Sequence, residues 1–321
     1  DGQAFVREAR SVTEETPVVL VKAGRTDAGA QAASSHTGAI AGSERAYEAG
    51  LDQAGVLRAE NVEELFDYAR ILDGQPVPDG DEVAVITNAG GPGVMATDAI
   101  GDSDLEMASF TEETVERLGE SMPDEANIYN PVDVIGDADN ARFKEALDIV
   151  LDDPNVSSAV VISCPTAVIE YEGLAEDVAE VQQRHENPVV ASLMGGERVE
   201  VPEDTLREYG IPNYFDPARA VRSLDALATY RDITELDYDP PVEYDVDRER
   251  AEEILRSVEK RDTNRLGVEA MELLDAYGIP TPHGDIVDTP EKARDVAEDI
   301  DGGVVMKIVS PDILHKSDIG G

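Results

Sequence analysis

The chain has 321 residues, 41 % of them apolar, and its 70 acidic side chains outnumber 26 basic ones for a formal charge of -44. That length exceeds one ordinary domain, since compact domains run to roughly 100–200 residues. The apolar residues, gathered in strand-like and helix-like runs, exclude intrinsic disorder despite the charge.

A field of this sign repels nucleic acid and anionic lipid, so neither is an expected partner. No apolar stretch reaches the ~18–20 residues of a membrane span. A single cysteine, Cys164, excludes an intrachain disulfide. The chain reads as soluble and cytoplasmic. Its carboxylates are scattered through every segment, and their repulsion weakens as the Debye length falls from about 10 Å at 0.1 M salt to roughly 3 Å at 1 M. The composition therefore points to a salty, haloarchaeal type of cytoplasm and to a fold that loses stability as salt is removed. Anionic substrates must then be drawn in by helix N-termini, a few cations or bound metal.

In chain order, a helical pattern at Phe5, Val6 and Ala9 precedes the run Pro17-Val-Val-Leu-Val21, which reads as a buried parallel strand. A loop over Lys22 to Thr37, a helix from Ser43 to Ala54 and a strand at Val56-Leu-Arg58 follow. A helix from Asn61 to Leu72 has Asn61 as N-cap and Glu64 completing a capping box. Two glycines and two prolines make 74–81 a linker. The block 82–231 opens with the strand Val83-Ala-Val-Ile-Thr87 and has later apolar runs at 159–162 and 188–191. They alternate with helices near 142–151, 174–184 and 217–230, which predicts a doubly wound, flavodoxin-like sheet. The acidic, proline-bearing stretch 232–263 reads as a second linker. The last block, 264–321, predicts helices at 267–277 and 290–299 and a strand at Val304-Val-Met-Lys-Ile-Val309. Neither end looks like a natural domain edge, so the chain reads as internal to a longer protein.

Three stretches could carry chemistry. Ala32-Ala-Ser-Ser-His-Thr-Gly-Ala-Ile-Ala-Gly42 sets His36 among small residues that admit a bulky anion, after Lys22 and Arg25; the ring is either a phosphate-accepting nucleophile or a loop histidine bonded to backbone. Thr87-Asn-Ala-Gly-Gly-Pro-Gly93 is either a phosphate-binding βα turn at a helix N-terminus or a plain tight turn. Lys307 either ends a buried strand facing a nucleotide phosphate or reaches solvent. Asp133 lines the site or caps a turn. His185 and His283 read as solvated surface histidines, and no Cys/His spacing marks a zinc site.

Taken together, Pro17-Val-Val-Leu-Val-Lys-Ala-Gly-Arg25, Ser35-His-Thr-Gly-Ala-Ile-Ala-Gly42, Gln53-Ala-Gly-Val56 and Glu63-Glu-Leu-Phe66 resemble a ligase domain of ADP-forming acetyl-CoA synthetases, relatives of succinyl-CoA synthetase. Asn88-Ala-Gly-Gly-Pro-Gly93 and Asn130-Pro-Val-Asp133 are similar to their second ligase domain. Lys307-Ile-Val-Ser-Pro-Asp-Ile-Leu-His-Lys-Ser-Asp-Ile-Gly-Gly321 resembles the start of their ATP-grasp domain.

The resemblance implies an α/β chain of two flavodoxin-like parallel-sheet domains, 1–73 (truncated at its N-terminus) and 82–231, followed by the truncated start of an ATP-grasp domain, 264–321. It implies an acyl-CoA synthetase (acetate-CoA ligase, ADP-forming) that interconverts acyl-CoA, ADP and phosphate with acid, CoA and ATP. His36 would be phosphorylated and His315 would relay the group. Ser35, Thr37, Gly38, Asn88, Gly90, Gly91 and Gly93 would bind phosphate, and Lys307 the nucleotide. ATP or ADP, Mg²⁺ and coenzyme A would be used, with the main CoA and metal sites outside these residues, which alone would be inactive. Acetate or another short acid, CoA and phosphate are the implied partners, and self-association is expected. Similar domains also occur as ligand-sensing modules of protein acetyltransferases, which is the rival expectation.

Overall fold

The computed structural model describes residues 2–26, 28–32, 44–236, 244–260, 266, 269–282, 285–300 and 302–307. They fall into two compact units, 1–237 and 238–321.

The first unit begins with α1 (Gly2–Thr13), β1 (Val19–Val21), α2 (Glu44–Gln53), β2 (Leu57–Ala59) and α3 (Val62–Gly74). Residues 28–32, expected as loop, are helical. β1 and β2 pair in parallel, Leu20 opposite Arg58. Their core is small: Leu51, Ala54 and Val56, with Val6, Ala9, Val18 and Leu20 against them. α3 starts where the sequence marks it, with Asn61 Oδ1 accepting from Glu64 N–H at 3.0 Å. The return bond of the capping box instead comes from Glu60 N–H to Glu64 Oε2, at 2.8 Å.

A larger parallel sheet follows. It comprises β3 (Glu82–Thr87), β4 (Glu106–Met107), β5 (Val132–Asp133), β6 (Ser158–Ser163) and β7 (Val189–Leu193), in the order β4-β3-β6-β7 with β5 also beside β3. The helices are α4 (Gly90–Gly101), α5 (Glu112–Ser121), α6 (Asn140–Leu151), α7 (Tyr171–Gln182), α8 (Glu200–Glu208) and α9 (Pro217–Glu235). Both faces of the sheet are covered, which is why β3 and β6 read as unbroken apolar runs. Ala84, Ile86 and Val161 face one core with Phe143, Leu147 and Leu174. Val83, Val85 and Val160 face the other with Ala96, Ile100 and Leu224, to which α3 contributes Ile71. The last helix of the small α/β part thus belongs to the core of the large one.

The expected linker at 74–81 is pinned at its start. Gln75 donates to Gly210 O at 2.8 Å and accepts from Val189 N–H at 2.7 Å.

The second unit holds α10 (Arg248–Glu259), α11 (Glu269–Ala276) and α12 (Pro290–Asp299). Part of 232–263, expected as a linker, is therefore helical. α9 runs on to Glu235, and α10 buries Ala251, Ile254 and Val258 while packing on α11. The expected strand at 304–309 is not formed over its described part: residues 304–307 are irregular, and Val305 and Met306 are each 82 % exposed. An apolar run becomes a strand only when another edge satisfies its N–H and C=O groups. No paired strand occurs among the described residues of this unit.

Candidate functional site

Ser35, His36, Thr37, Gly38, His283 and His315 lie outside the described residues. Lys307 is exposed, so the argument from burial at a strand end does not hold for it. What the structure describes around the first motif is a cluster at the C-terminal ends of β1 and β2, the edge at which parallel α/β sheets bind ligands.

Three cations converge there on one carboxylate. Lys22 Nζ lies 3.0 Å from Glu44 Oε2 and 4.4 Å above the Tyr47 ring. Arg58 bonds Glu44 Oε1, Arg25 Nε approaches the same oxygen at 3.8 Å, and Arg25 also pairs with Glu60. The hydrogen bond from Arg58, and then that from Lys22, hold the Glu44 pKa below its usual value. Arg58 Nε is buried without an acceptor. Arg25, Thr26, Glu44, Glu48, Arg58 and Glu60 line an open cleft of about 510 Å³. Glu44, Glu48 and Glu60 balance Lys22, Arg25 and Arg58 one for one, so this strand end is locally neutral in a chain with 26 basic residues against 70 acidic ones. Sequence reasoning missed Arg58 and Glu44, because strand register and the packing of α2 bring them together; a cationic residue inside a short apolar strand was the only signal.

The second motif sits at the C-terminal end of β3. Thr87 Oγ1 accepts from Ala89 N–H at 3.0 Å and donates to Ala89 O at 2.9 Å, which closes the turn. Asn88 is 5 % exposed, and its side chain is engaged by Cys164: Nδ2 donates to Cys164 O at 3.0 Å and Oδ1 accepts from Cys164 N–H at 2.8 Å. The amide therefore zips β3 to β6 at the point where the strand order reverses, and only main chain remains to meet a ligand. α4 opens at Gly90 with no side-chain cap on Ala89. Pro92 has no N–H, so the orphan donors of the first turn reduce to Gly90 and Gly91, both exposed. Gly93 is closely packed, since a Cβ there would lie 3.0 Å from Thr87 Cγ2.

Asp133 caps a turn and also faces this one. Its Oδ1 accepts from Ile135 N–H at 2.9 Å, while a Cβ added at Gly90 would stand 3.9 Å from its Oδ2. Ile135 has φ +62°, a strained value for a β-branched residue. His185 is a correction: its side chain is 12 % exposed and lies 3.1 Å from Asp148 Oδ1, because the end of α7 packs against α6. Among the described residues no group of three His, Cys, Asp or Glu side chains is placed to hold a metal ion.

Two parallel α/β parts, each with its ligand edge described above, match the models of a succinyl-CoA ligase-like flavodoxin domain over residues 1–72 and a ligase-CoA domain over 83–231; an ATP-grasp domain matches 256–321. Among curated proteins, acetate-CoA ligase [ADP-forming] I of Archaeoglobus fulgidus is 44 % identical over all of this chain and 46 % of its own length. The acetate-CoA ligase [ADP-forming] I of Pyrococcus furiosus is divided: its subunit alpha is 41 % identical over 229 residues, 71 % of this chain and 49 % of that subunit. Its subunit beta is 42 % identical over 72 residues, 22 % of this chain and 31 % of that subunit. Among solved structures, the dinucleotide-forming acetyl-coenzyme A synthetase 1 of Ca. Korarchaeum cryptofilum, in complex with phosphate and ADP, superposes with a TM-score of 0.69 at 33 % identity. The superposition covers 73 % of this chain and 51 % of that one. The chain belongs to the ADP-forming acetyl-CoA synthetase family and spans about half the length of the relatives it matches.

Proposed function

We propose that these residues are the phosphoryl-carrying part of an ADP-forming acyl-CoA synthetase, with His36 as carrier and acetate or another short acid as the acyl substrate. The observation that carries this is the occurrence, in one chain of that family, of a strand end that gathers Lys22, Arg25 and Arg58 together with an uncapped, glycine-opened helix. The relatives' names are those of ligases, which favours ligation over a ligand-sensing role.

Read towards ATP, inorganic phosphate attacks the thioester carbonyl of acyl-CoA, and acyl phosphate and CoA result. A ring nitrogen of His36 then attacks phosphorus as the bond to the acyl oxygen breaks and the carboxylate leaves. The P–N bond finally yields to an oxygen of ADP, directly or through His315. Neutral imidazole is available for such attack because its pKa lies near 6.5. Gly90 and Gly91 N–H groups and the α4 dipole stabilise the charge on the phosphoryl oxygens, with Ser35, Thr37 and Gly38 adding contacts on the carrier side. Lys22, Arg25 and Arg58 offset the surrounding carboxylate field. Lys307 contacts the nucleotide.

CoA and Mg²⁺ belong to the whole enzyme. The described residues offer no metal ligand set, and no step here is derived through one. On the same reading these 321 residues alone complete no turnover, the intact protein associates with further copies, and it works in the cytoplasm. Among the described residues no helix is long and apolar enough to cross a membrane. The full-length protein, given acetyl-CoA, ADP and phosphate, is expected to form ATP, and His36→Ala to abolish it. ATP formation undiminished in that variant would remove His36 from the mechanism.

A further inference from the structure

α3 belongs to the small α/β part and α9 to the large one, and a buried ion pair joins them. Asp67 is 2 % exposed. Arg219 Nε donates to its Oδ2 and Nη2 to its Oδ1, both at 2.8 Å, in a bidentate fork. Tyr214 OH donates to Asp67 O at 3.0 Å, and Arg219 Nη1 lies 2.9 Å from Glu63. A buried ion pair is weak grounds for stability, because desolvation offsets the attraction and an apolar pair of similar volume often does as well or better. Its distinctive effect is geometric: a fork fixes two helices to one register, whereas apolar ridges accept neighbouring grooves.

Adhesion between the two parts is secured elsewhere. Arg10 donates to Ile233 O and Leu236 O, each at 3.0 Å, at the far end of α9. Gln75 ties the end of α3 to Gly210 and β7. Arg219 and Ile233 lie about 21 Å apart along the α9 axis, so the fork fixes the end of α9 that Arg10 does not.

Both helices lead to ligand edges. α3 packs on β1, which Lys22 follows, and on β2, which contains Arg58, and α9 packs on α4, which opens at Gly90. We propose that Asp67 and Arg219 are positioning residues that set the register between the strand end bearing Lys22, Arg25 and Arg58 and the Asn88–Gly91 turn, and that phosphoryl transfer depends on this register. The inference rests on the proposed function.

The test pairs a distance with a rate. In the full-length protein, the apolar pair Asp67→Leu/Arg219→Met is expected to keep the parent's melting temperature within a few degrees and its KM for ADP. Its kcat for ATP formation is expected to fall about 10- to 100-fold, the scale of an ångström misplacement. Spin labels at Asp52→Cys on α2 and Glu120→Cys on α5, with Cys164→Ser removing the native thiol, should give one narrow distance that broadens or shifts in the apolar pair. Unchanged kcat overturns the proposal whatever the distances do, and so does a fall in kcat with unchanged distances. If the apolar pair fails to fold, Asp67→Glu decides: it keeps the charge but adds a methylene, so a lower kcat with shifted distances is expected, and parent-like turnover overturns the proposal. A parent that itself forms no ATP, while its labels shift as expected, indicts the proposed function and not the positioning role.

Discussion

Asp225, on α9, accepts Asp104 N–H at 3.2 Å, and burial pushes its pKa up, with the charges of Asp104 and Asp81 adding to the shift. Because the folded-state pKa lies above the unfolded one, the ionised group costs the folded state free energy at neutral pH. The cost disappears as pH falls through that raised pKa. Asp225→Asn keeps an acceptor for Asp104 N–H and is expected to stabilise the protein at pH 7. The gain should vanish near pH 3. Chemical denaturation at the two pH values reads it, and a less stable variant at pH 7 contradicts the argument. The same scale shows what sequence can reveal. Thr87 to Gly93 was legible because glycines straight after a strand have few uses. The engagement of Asn88 by Cys164 was not, since the two are 76 residues apart and meet only through sheet order.

At the scale of elements, α3 meets the loop between α8 and α9 at two glycines, Gly74 and Gly210. A Cβ at Gly74 would lie 2.2 Å from Gly210 O, and one at Gly210, where φ is +74°, would lie 2.5 Å from Gly74 O. Gly74→Ala must push the two backbones apart and is expected to cost about 2–3 kcal/mol. Gly101→Ala, with nothing within 4 Å of its Cβ, serves as the control and should be near neutral or slightly stabilising. Equal denaturation midpoints for the two variants would refute the close contact. β3, β6, β7 and α3 could be read from sequence because long apolar runs and a capped start are local signals. β4 and β5 have two residues each and exist only by pairing with β3. α5 escaped notice although Thr111 caps it, accepting from Thr114 N–H at 3.3 Å, because its apolar positions are few among carboxylates.

For the molecule as a whole, the first unit, 1–237, is close in length to the 229 residues over which the separate alpha subunit of the P. furiosus enzyme aligns. The match to three successive family models was legible because each stretch carries a family motif. The packing of α3 into the second core was not, since Ile71 looks like any other apolar helix residue. What unites these scales is the proposed carriage of a phosphoryl group by His36, with the Gly90–Gly91 helix start as its anion site, in a chain of formal charge -44. The most direct measurement is to incubate the full-length protein with γ-labelled ATP and locate the acid-labile phosphoryl group by peptide mapping. The account predicts label on the peptide containing His36 and none there after His36→Ala. Stoichiometric label elsewhere, with the His36 peptide unmodified throughout turnover, would contradict it.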